Sequence, residues 1–214
     1  MSVKLSEFDL NCIACPRLSH FLKESRAKYP DYHSRPVPAF GIKKPKLLIV
    51  GLAPGMHGAN ASGRPFTGDH AGIILYEMLY KHGFSNKPIS TALHDGLKLK
   101  HCRITNAVKC LPPANKPTGE EINTCNHYLA EELKTIANKA VILCLGLISH
   151  KAVIKALALK QSAYPFKHAK THRLEDDRQI IDSYHCSRYN TQTKRLTETM
   201  FSDIFKQINI QLNL

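Results

Sequence analysis

Four side chains of complementary chemistry each follow an apolar run that predicts a buried strand. Phe66 and Asp69 come after the first run, Asn106 follows the second and His185 follows the last. Because the carboxyl ends of parallel strands meet at one edge of a sheet, we expect these side chains to converge. Together they could hold a planar heterocycle, with the ring stacked on it, the amide reading its edge and the imidazole stabilising charge. Taken singly, each also has a structural reading, as a core residue, a helix N-cap, a turn residue or a surface side chain.

Cysteines form the second group of residues with chemical potential. Cys12 and Cys15 make a CxxC pair, and Cys110 and Cys125 lie far downstream among seven cysteines in all. The sequence has no second CxxC and no histidine pair at zinc-finger spacing, so the common structural zinc patterns fit poorly. Four thiolates from two distant segments suit a cubane iron–sulfur cluster or a long-range zinc site, and an inert assortment of thiols is the alternative.

A glycine-rich loop connects the first strand to the following helix. The apolar residues 47–50 fit a fully covered parallel strand, and glycines and a proline then interrupt regular structure up to residue 68. Ligands of open α/β sheets bind beyond the strand ends, where such loops lie. The loop is therefore expected to form part of a site, the alternative being a plain connector.

Hydrophobic spacing predicts the elements that must position these groups. Strands are predicted at residues 46–50, 102–106, 140–145 and 179–183. Helices are predicted within residues 16–29 and at 71–82, 118–138, 148–159 and 196–210, whereas 30–41 and 161–179 read as irregular. Thr118 with Glu121 predicts a capping box, and Gly83 a helix end. Cys102 and Cys144 fall inside predicted strands, where we expect them to be small buried hydrophobic residues. They are the alternative metal ligands if one of the other four is not used. The alternation of strands and helices indicates an α/β fold with a parallel sheet covered on both faces.

Composition limits the class of protein. With 214 residues and 43% hydrophobic content, the chain is expected to form a single domain over residues 1–214. No apolar run approaches the roughly 18 residues of a membrane helix, and the N-terminus lacks a signal-peptide pattern, so we expect a cytoplasmic protein with no membrane partner. The formal charge of +13 favours a nucleic-acid partner over a general basic bias for solubility.

Three motifs in the same order resemble the uracil-DNA glycosylase superfamily, specifically its iron–sulfur family 5, which is close to family 4. They are GLAPGMHGANASGRPFTGD, ITNAVKCLPPANKPT and SYHCSRYNTQTKRLT. The resemblance spans nearly the whole chain. It implies a three-layer α/β/α fold with a central four-stranded parallel sheet, and excision of uracil and related deaminated bases, among them hypoxanthine and xanthine, from DNA. It also implies a [4Fe–4S] cluster held by Cys12, Cys15, Cys110 and Cys125.

The resemblance also implies individual roles. Phe66 would stack on the flipped base, Asn106 would bond the polar edge of uracil, and His185 would stabilise charge on the departing base. Asp69 is the candidate to position or polarise the attacking water. The pocket would be lined by the backbone of Gly51, Ala53 and Gly55.

DNA contacts are expected from basic side chains around the third motif and elsewhere. The principal candidates are Arg188, Tyr189, Lys194, Arg195 and Lys116, and further phosphate contacts are Lys109, Lys167, Lys170 and Arg173. Tyr189 or Leu196 would fill the gap left by the flipped nucleotide. For any single lysine, a solvated surface charge is the alternative. The protein is expected to be a monomer that is associated with the nucleoid when bound to DNA.

Two positions depart from the family pattern. Leu52 stands where family 4 has a water-activating acidic residue, a difference typical of family 5. Cys186 replaces the proline of a His-Pro-Ser motif, which is expected to loosen the loop and to put a thiol near the DNA. Two other classes fit the sequence less well: a non-catalytic iron–sulfur module leaves Phe66, Asn106 and His185 unexplained, and a small-molecule enzyme lacks its phosphate-binding glycine motifs here.

Overall fold

A computed structural model describes residues 8–214 of the chain. The strands are β1 (Phe40–Gly41), β2 (Leu47–Gly51), β3 (Cys102–Asn106), β4 (Val141–Leu145), β5 (Thr171–Arg173) and β6 (Gln179–Ser183). The helices are α1 (Pro16–Lys28), α2 (Ala59–Ser62), α3 (His70–Lys81), α4 (Gly119–Lys134), α5 (Leu147–Ala156), α6 (Arg188–Gln192) and α7 (Glu198–Leu212). Short 3-10 helices cover Pro113–Asn115 and Gln161–Ala163.

The sheet has the order β1-β3-β2-β4-β6-β5. Strands β3, β2, β4 and β6 are mutually parallel, which confirms the predicted four-stranded parallel core. β1 and β5 extend it at its two edges as antiparallel strands of two and three residues. Both lie in segments that the sequence predicts to be irregular. Strands this short show no recognisable alternation of apolar and polar residues, so hydrophobic spacing does not predict them.

Alternate residues of the parallel strands face opposite helical layers. Leu47 and Ile49 belong to a core shared with residues of α3 and α7, whereas Leu48 and Val50 belong to a core shared with residues of α4 and α5. Every residue of β2 and β4 is buried, as expected for strands covered on both faces. The fold is therefore the predicted α/β/α arrangement.

Helix ends follow the local chemistry of the sequence. Thr118 and Glu121 form the predicted capping box at the start of α4, and Gly83 takes a φ of +83° just after α3. α6 was not predicted; its N-cap is Ser187, whose hydroxyl accepts from the backbone N–H of Asn190 at 3.4 Å. No helix in the described part of the chain is both long and apolar enough to cross a membrane.

Candidate active site

The site begins where β2 and β3 end side by side. Gly51 and Asn106 are register partners, and Ala107 donates its backbone N–H to the carbonyl of Gly51 at 2.9 Å. A Cβ added at Gly51 would collide with Oδ1 of Asn106 and would lie 2.6 Å from Cζ of Phe66. The missing side chain at Gly51 thus lets an amide and an aromatic ring approach each other at the strand end.

Phe66 is held in an unusual backbone conformation. Its φ is +55°, a region that bulky residues rarely adopt, and its side chain is 6% exposed. The hydroxyl of Tyr76 donates to the carbonyl of Pro65 at 2.8 Å, and a Cβ at Gly72 would collide with the carbonyl oxygen of Phe66. The first turns of α3 therefore fix the position of this ring.

His185 faces Phe66 from the loop that follows β6. The two rings are 6.0 Å apart at their centroids and are inclined by 27°. Nδ2 of Asn190 donates to the carbonyl of His185 at 2.8 Å, which ties the loop to α6. Burial lowers the pKa of His185 to about 4, so the imidazole is neutral at physiological pH.

Asn106 carries an unpaired acceptor. Its side chain is 3% exposed, and its Oδ1 atom is buried without a hydrogen-bond partner among the described residues. Such orphaned acceptors are uncommon, since leaving one unpaired costs about 1–3 kcal/mol. This acceptor therefore lies at the end of β3, close to Gly51 and the ring of Phe66, without a donor.

Asp69 caps α3 and also faces the glycine loop. Its Oδ1 accepts from the backbone N–H of Gly72 at 2.8 Å, and Oδ2 would lie 3.6 Å from a Cβ at Gly55. Burial raises the pKa of Asp69 above its usual value. One carboxylate oxygen is therefore committed to the helix, and the other is oriented toward the loop.

These groups border an open cleft of about 650 Å³. Its walls include Ala53, Gly55, Asp69, Asn115, His185 and Arg188. Phe66 and Asn106 are not among the walls; both are buried and lie close to Gly51. The structure thus brings the four groups of the site to one edge of the sheet, with two at the cleft surface and two behind it.

The candidate DNA contacts divide into exposed and buried residues. The exposed ones are Lys116, Lys167, Arg173, Arg188, Tyr189, Lys194 and Arg195, and Lys170 is half-buried. Lys109 is buried and pairs with Glu132 at 2.7 Å, so the prediction that it contacts phosphate is wrong. Leu196 is 1% exposed and unable to enter DNA, whereas Tyr189 is 70% exposed.

The sequence predicts the thiol of Cys186 near the DNA, and the structure shows that this prediction is wrong. Its side chain is fully buried, and its thiol donates to the carbonyl of Ala71 at 3.5 Å. The thiol therefore links the histidine loop to α3 instead of loosening it. Next to this contact, the ring of His70 hydrogen-bonds to the hydroxyl of Thr191 at 2.9 Å, joining α3 to α6.

The four cysteines of the predicted cluster line one pocket between α1, α4 and the segment after β3. They are Cys12, Cys15, Cys110 and Cys125. All four are free thiols. Cys125 accepts a hydrogen bond from the backbone N–H of Lys109 at 3.4 Å, and burial raises the pKa of Cys15 to about 11. Cys102 and Cys144 are buried in strands away from this pocket, as predicted.

The spacing of these sulfur atoms can be compared with that of a single-ion zinc site. Among the described residues, no three of the four sulfurs lie within 4.8 Å of one another. Ligand sulfurs on one tetrahedral zinc ion lie about 3.8 Å apart, given Zn–S bonds of about 2.3 Å. In this arrangement the four sulfurs line one pocket but are not spaced as ligands of a single tetrahedral ion.

A buried ion pair near the site was not predicted. The guanidinium of Arg64 bonds to Asp95 at 2.9 and 3.0 Å, to the hydroxyl of Ser90 at 2.8 Å and to the carbonyl of Leu93 at 2.6 Å. The same guanidinium lies 4.3 Å from the ring centroid of Phe40. Its sequence signal is weak, since the partners lie about thirty residues away in a segment without periodicity.

Comparisons with known proteins agree with this geometry. A family model described as the uracil DNA glycosylase superfamily matches residues 38–209. The type-5 uracil-DNA glycosylase of Thermus thermophilus is 42% identical over 201 residues, covering 92% of this chain and 91% of that protein. The type-5 protein of Pyrobaculum aerophilum is 38% identical over 202 residues, covering 92% and 88%.

A type-4 relative is more distant. The type-4 uracil-DNA glycosylase of Archaeoglobus fulgidus is 31% identical over 174 residues, covering 78% of this chain and 79% of that protein. The order of similarity agrees with Leu52, which occupies the position where the resemblance to family 4 would require an acidic residue. The chain therefore belongs to the uracil DNA glycosylase superfamily, a group of hydrolases acting on N-glycosyl bonds, and is most similar here to its type-5 members.

Proposed function

We propose that this protein removes uracil from DNA by hydrolysing the N-glycosidic bond, leaving an abasic site. The observation that carries the proposal is the unpaired, buried Oδ1 of Asn106, which lies next to Gly51 together with the ring of Phe66, the ring that faces His185. Uracil has a ring N–H flanked by carbonyls, and that N–H would satisfy the orphaned acceptor. The type-5 names of the relatives support the same substrate.

The side chains would act mainly by stabilising charge. As the glycosidic bond breaks, the sugar becomes cationic and the base departs as an anion. Preorganised donors in a site shielded from water stabilise such charges effectively. His185 would donate a hydrogen bond from a neutral imidazole to the departing base, consistent with its lowered pKa. Phe66 would hold the plane of the base by stacking.

Asp69 is the proposed residue for positioning the attacking water. Leu52 and Asp69 both line the cleft, and Leu52 offers no polar atom for the task. Oδ2 of Asp69 is the carboxylate oxygen on the side of the glycine loop, whose backbone at Gly51, Ala53 and Gly55 would line the pocket. The raised pKa of Asp69 suits a carboxylate that accepts a proton as water adds.

DNA would be held by the exposed cations around α6. Arg188 borders the cleft, and Lys194, Arg195 and Lys116 are exposed in neighbouring segments. Tyr189, exposed on α6 next to Arg188, would enter the space that the flipped nucleotide leaves. We further propose that the chain acts as a single-domain monomer in the cytoplasm, bound to nucleoid DNA.

An assay on a uracil-containing duplex tests the activity. We expect alkali-labile abasic sites at uracil, and we expect His185→Ala to lower the single-turnover rate by about 10²-fold or more. His94→Ala, at an exposed histidine outside the cleft, is the matched control and should retain the native rate. Full activity of His185→Ala would remove His185 from the mechanism, and inactivity of the native protein would overturn the proposal.

Hypoxanthine and xanthine are proposed as further substrates. Both have a planar ring with a carbonyl beside a ring N–H, which is the pattern that Asn106 would read. The cleft is open, and that leaves room for a purine. Duplexes with each base, assayed beside uracil, test this extension; cleavage of uracil alone would limit the enzyme to pyrimidines.

We propose that Cys12, Cys15, Cys110 and Cys125 hold a [4Fe–4S] cluster. Its contribution would be structural, since it would tie the CxxC segment to Cys110, in the loop after β3, and to Cys125, within α4. The cluster would so offset the entropy cost of ordering the loop between these two residues.

Cys110→Ser should therefore lose iron and visible colour and unfold at a lower temperature. The control is Cys102→Ser, at another buried cysteine that does not border the pocket. Iron analysis measures the outcome. Unchanged iron in Cys110→Ser would show that this ligand is misassigned.

A further inference from the structure

A second group of side chains that could bind a metal lies on and around β6, the strand that leads to His185. Cys144 on β4 and Asp182 on β6 are register partners, so their side chains lie next to each other on the same face of the sheet. His150 reaches them from α5, and His172 from the edge strand β5. The four residues come from separate elements and share none with the four-cysteine pocket.

The candidate ligand atoms are close together and buried. The sulfur of Cys144, a ring nitrogen of His150 and a carboxylate oxygen of Asp182 all lie within 4.8 Å of one another. Nδ1 of His150 is 2.7 Å from Oδ1 of Asp182, and Nε2 of His172 is 3.4 Å from Oδ2. The four side chains are between 0% and 7% exposed, so water contributes little to stabilising the charge among them.

The carboxylate of Asp182 needs a positive partner. In the described residues its ion-pair partners are the two imidazoles, with no lysine or arginine side chain. Nε2 of His150 lies 2.8 Å from the carbonyl of Tyr164, which only accepts, so that nitrogen carries the proton. A neutral His150 would then direct the lone pair of Nδ1 at a carboxylate oxygen. Their separation of 2.7 Å fits a shared proton. A metal ion with bonds of about 2.0–2.2 Å to both atoms would replace that proton once they part to about 3.3 Å.

His172 provides an independent indication of a ligand. It is 7% exposed, and its Nε2 makes no hydrogen bond within the described structure, although it faces Asp182. A buried ring nitrogen without a hydrogen bond is costly unless another atom is meant to occupy its lone pair.

We propose that Cys144, His150, Asp182 and His172 bind one zinc ion. The donor set of one thiolate, two imidazoles and one carboxylate is among those that zinc prefers. Outer contacts are already in place: the carbonyl of Tyr164 orients His150, and the backbone N–H of Lys167 donates to Oδ2 of Asp182 at 3.3 Å. Such contacts orient ligands around metals in general. The ion would link β4, β5, β6 and α5 and would so stabilise the end of β6, the strand that precedes His185.

Metal analysis of the purified protein tests the site. We expect about one zinc per chain after growth with added zinc, with iron counted separately for the four-cysteine pocket. His150→Gln and Asp182→Asn should lower the zinc content by about tenfold or more. Cys102→Ser replaces another fully buried strand cysteine and should keep its zinc. Cys110→Ser should also keep it, which separates this site from the other pocket.

A second measurement begins with the native chain, and substitutions serve only to assign its signal. Protein that retains its iron, and from which a chelator has removed zinc, is titrated with Co²⁺, whose bonds to sulfur produce charge-transfer absorption. We expect saturation at one ion per chain and a higher unfolding temperature when Co²⁺ is bound, because a ligand that binds only the folded state stabilises it. The band should persist in Cys110→Ser and disappear in Cys144→Ser.

Two results would overturn the proposal. One is folded native protein that takes up neither zinc nor cobalt in addition to its iron; a proton shared by His150 and Asp182 would then be the missing cation. The other is an unchanged zinc content in His150→Gln and Asp182→Asn. Neither result bears on uracil excision, so the two proposals fail independently.

Discussion

At the scale of single residues, the site depends on a side chain that is missing. Gly51 leaves room for Asn106 and Phe66 to meet behind the cleft wall. Gly55, in the same loop, is not constrained in this way, because a Cβ there would make only an ordinary contact with Asp69 at 3.6 Å. The two glycines therefore make a matched pair for testing which part of the loop shapes the base pocket.

Gly51→Ala should lower kcat/KM for uracil excision by about 10²-fold, because the new methyl group displaces the stacking ring and the amide. Gly55→Ala should change it by less than about threefold. Steady-state kinetics on a uracil duplex measures both, with near-UV circular dichroism as the check on folding. Equal effects of the two substitutions would contradict the assigned geometry.

The lowered pKa of His185 makes stability depend on pH. Between about pH 6.5, the usual histidine pKa, and about pH 4, the unfolded chain binds a proton that the folded chain excludes. The free energy of unfolding should therefore fall as the pH falls through this range. His185→Ala should lessen that fall by about 1–2 kcal/mol between pH 7 and pH 5.

Urea denaturation at several pH values measures this effect. Exposed His94 is the control, and its alanine variant should follow the native pH dependence. A native-like pH dependence in His185→Ala would mean that this imidazole is not kept neutral by burial.

At the scale of elements, the segment between α3 and β3 supports the Phe66 loop. Arg64 precedes Pro65 and Phe66, and its buried guanidinium is bonded to Asp95, Ser90 and Leu93 in that segment. The hydroxyl of Thr67 bonds to Ser90 at 2.6 Å on the other side of Phe66. The ring is thus held on both sides in its positive-φ conformation by a segment that has little regular structure of its own.

Asp95→Asn should destabilise the protein by about 3 kcal/mol, since it leaves a buried arginine without its counter-ion. It should also lower kcat/KM for excision, because Phe66 loses support. Asp203→Asn, which breaks an exposed pair with Lys206, should change stability by less than about 1 kcal/mol. Thermal unfolding and kinetics measure both variants. Unchanged kinetics in Asp95→Asn would show that the segment does not position the ring.

At the scale of the whole molecule, the charge of +13 should make DNA binding depend strongly on salt. Arg188→Ala should make the slope of log K against log salt less steep by about 1, because one phosphate contact is lost. Lys134→Ala is the control. This residue ends α4, which leads to the start of β4, whereas the cleft lies beyond the carboxyl ends of the strands. Fluorescence anisotropy with a uracil-free duplex measures both. Equal slopes for Arg188→Ala and native protein would exclude Arg188 as a phosphate contact.

Much of the fold could be predicted from the sequence because its signals are local. The four parallel strands lie within about two residues of their predicted limits, since fully apolar runs mark strands covered on both faces. The capping box at Thr118 and the helix end at Gly83 depend on neighbouring residues alone. β1 and β5 were missed because they form only by pairing with β3 and β6.

The sequence by itself determined the residue types of the site, the positions along the chain of the parallel strands that carry them and the four cysteines of the pocket. Only the tertiary structure decided which basic and apolar side chains are accessible: Lys109 turns inward to Glu132, Leu196 is in the core and Tyr189 is exposed. It alone joined Arg64 to Asp95, and His150 to Asp182. The physical reason is that periodicity and capping act over a few residues, whereas burial and ion pairing depend on which segments the packed sheet brings together.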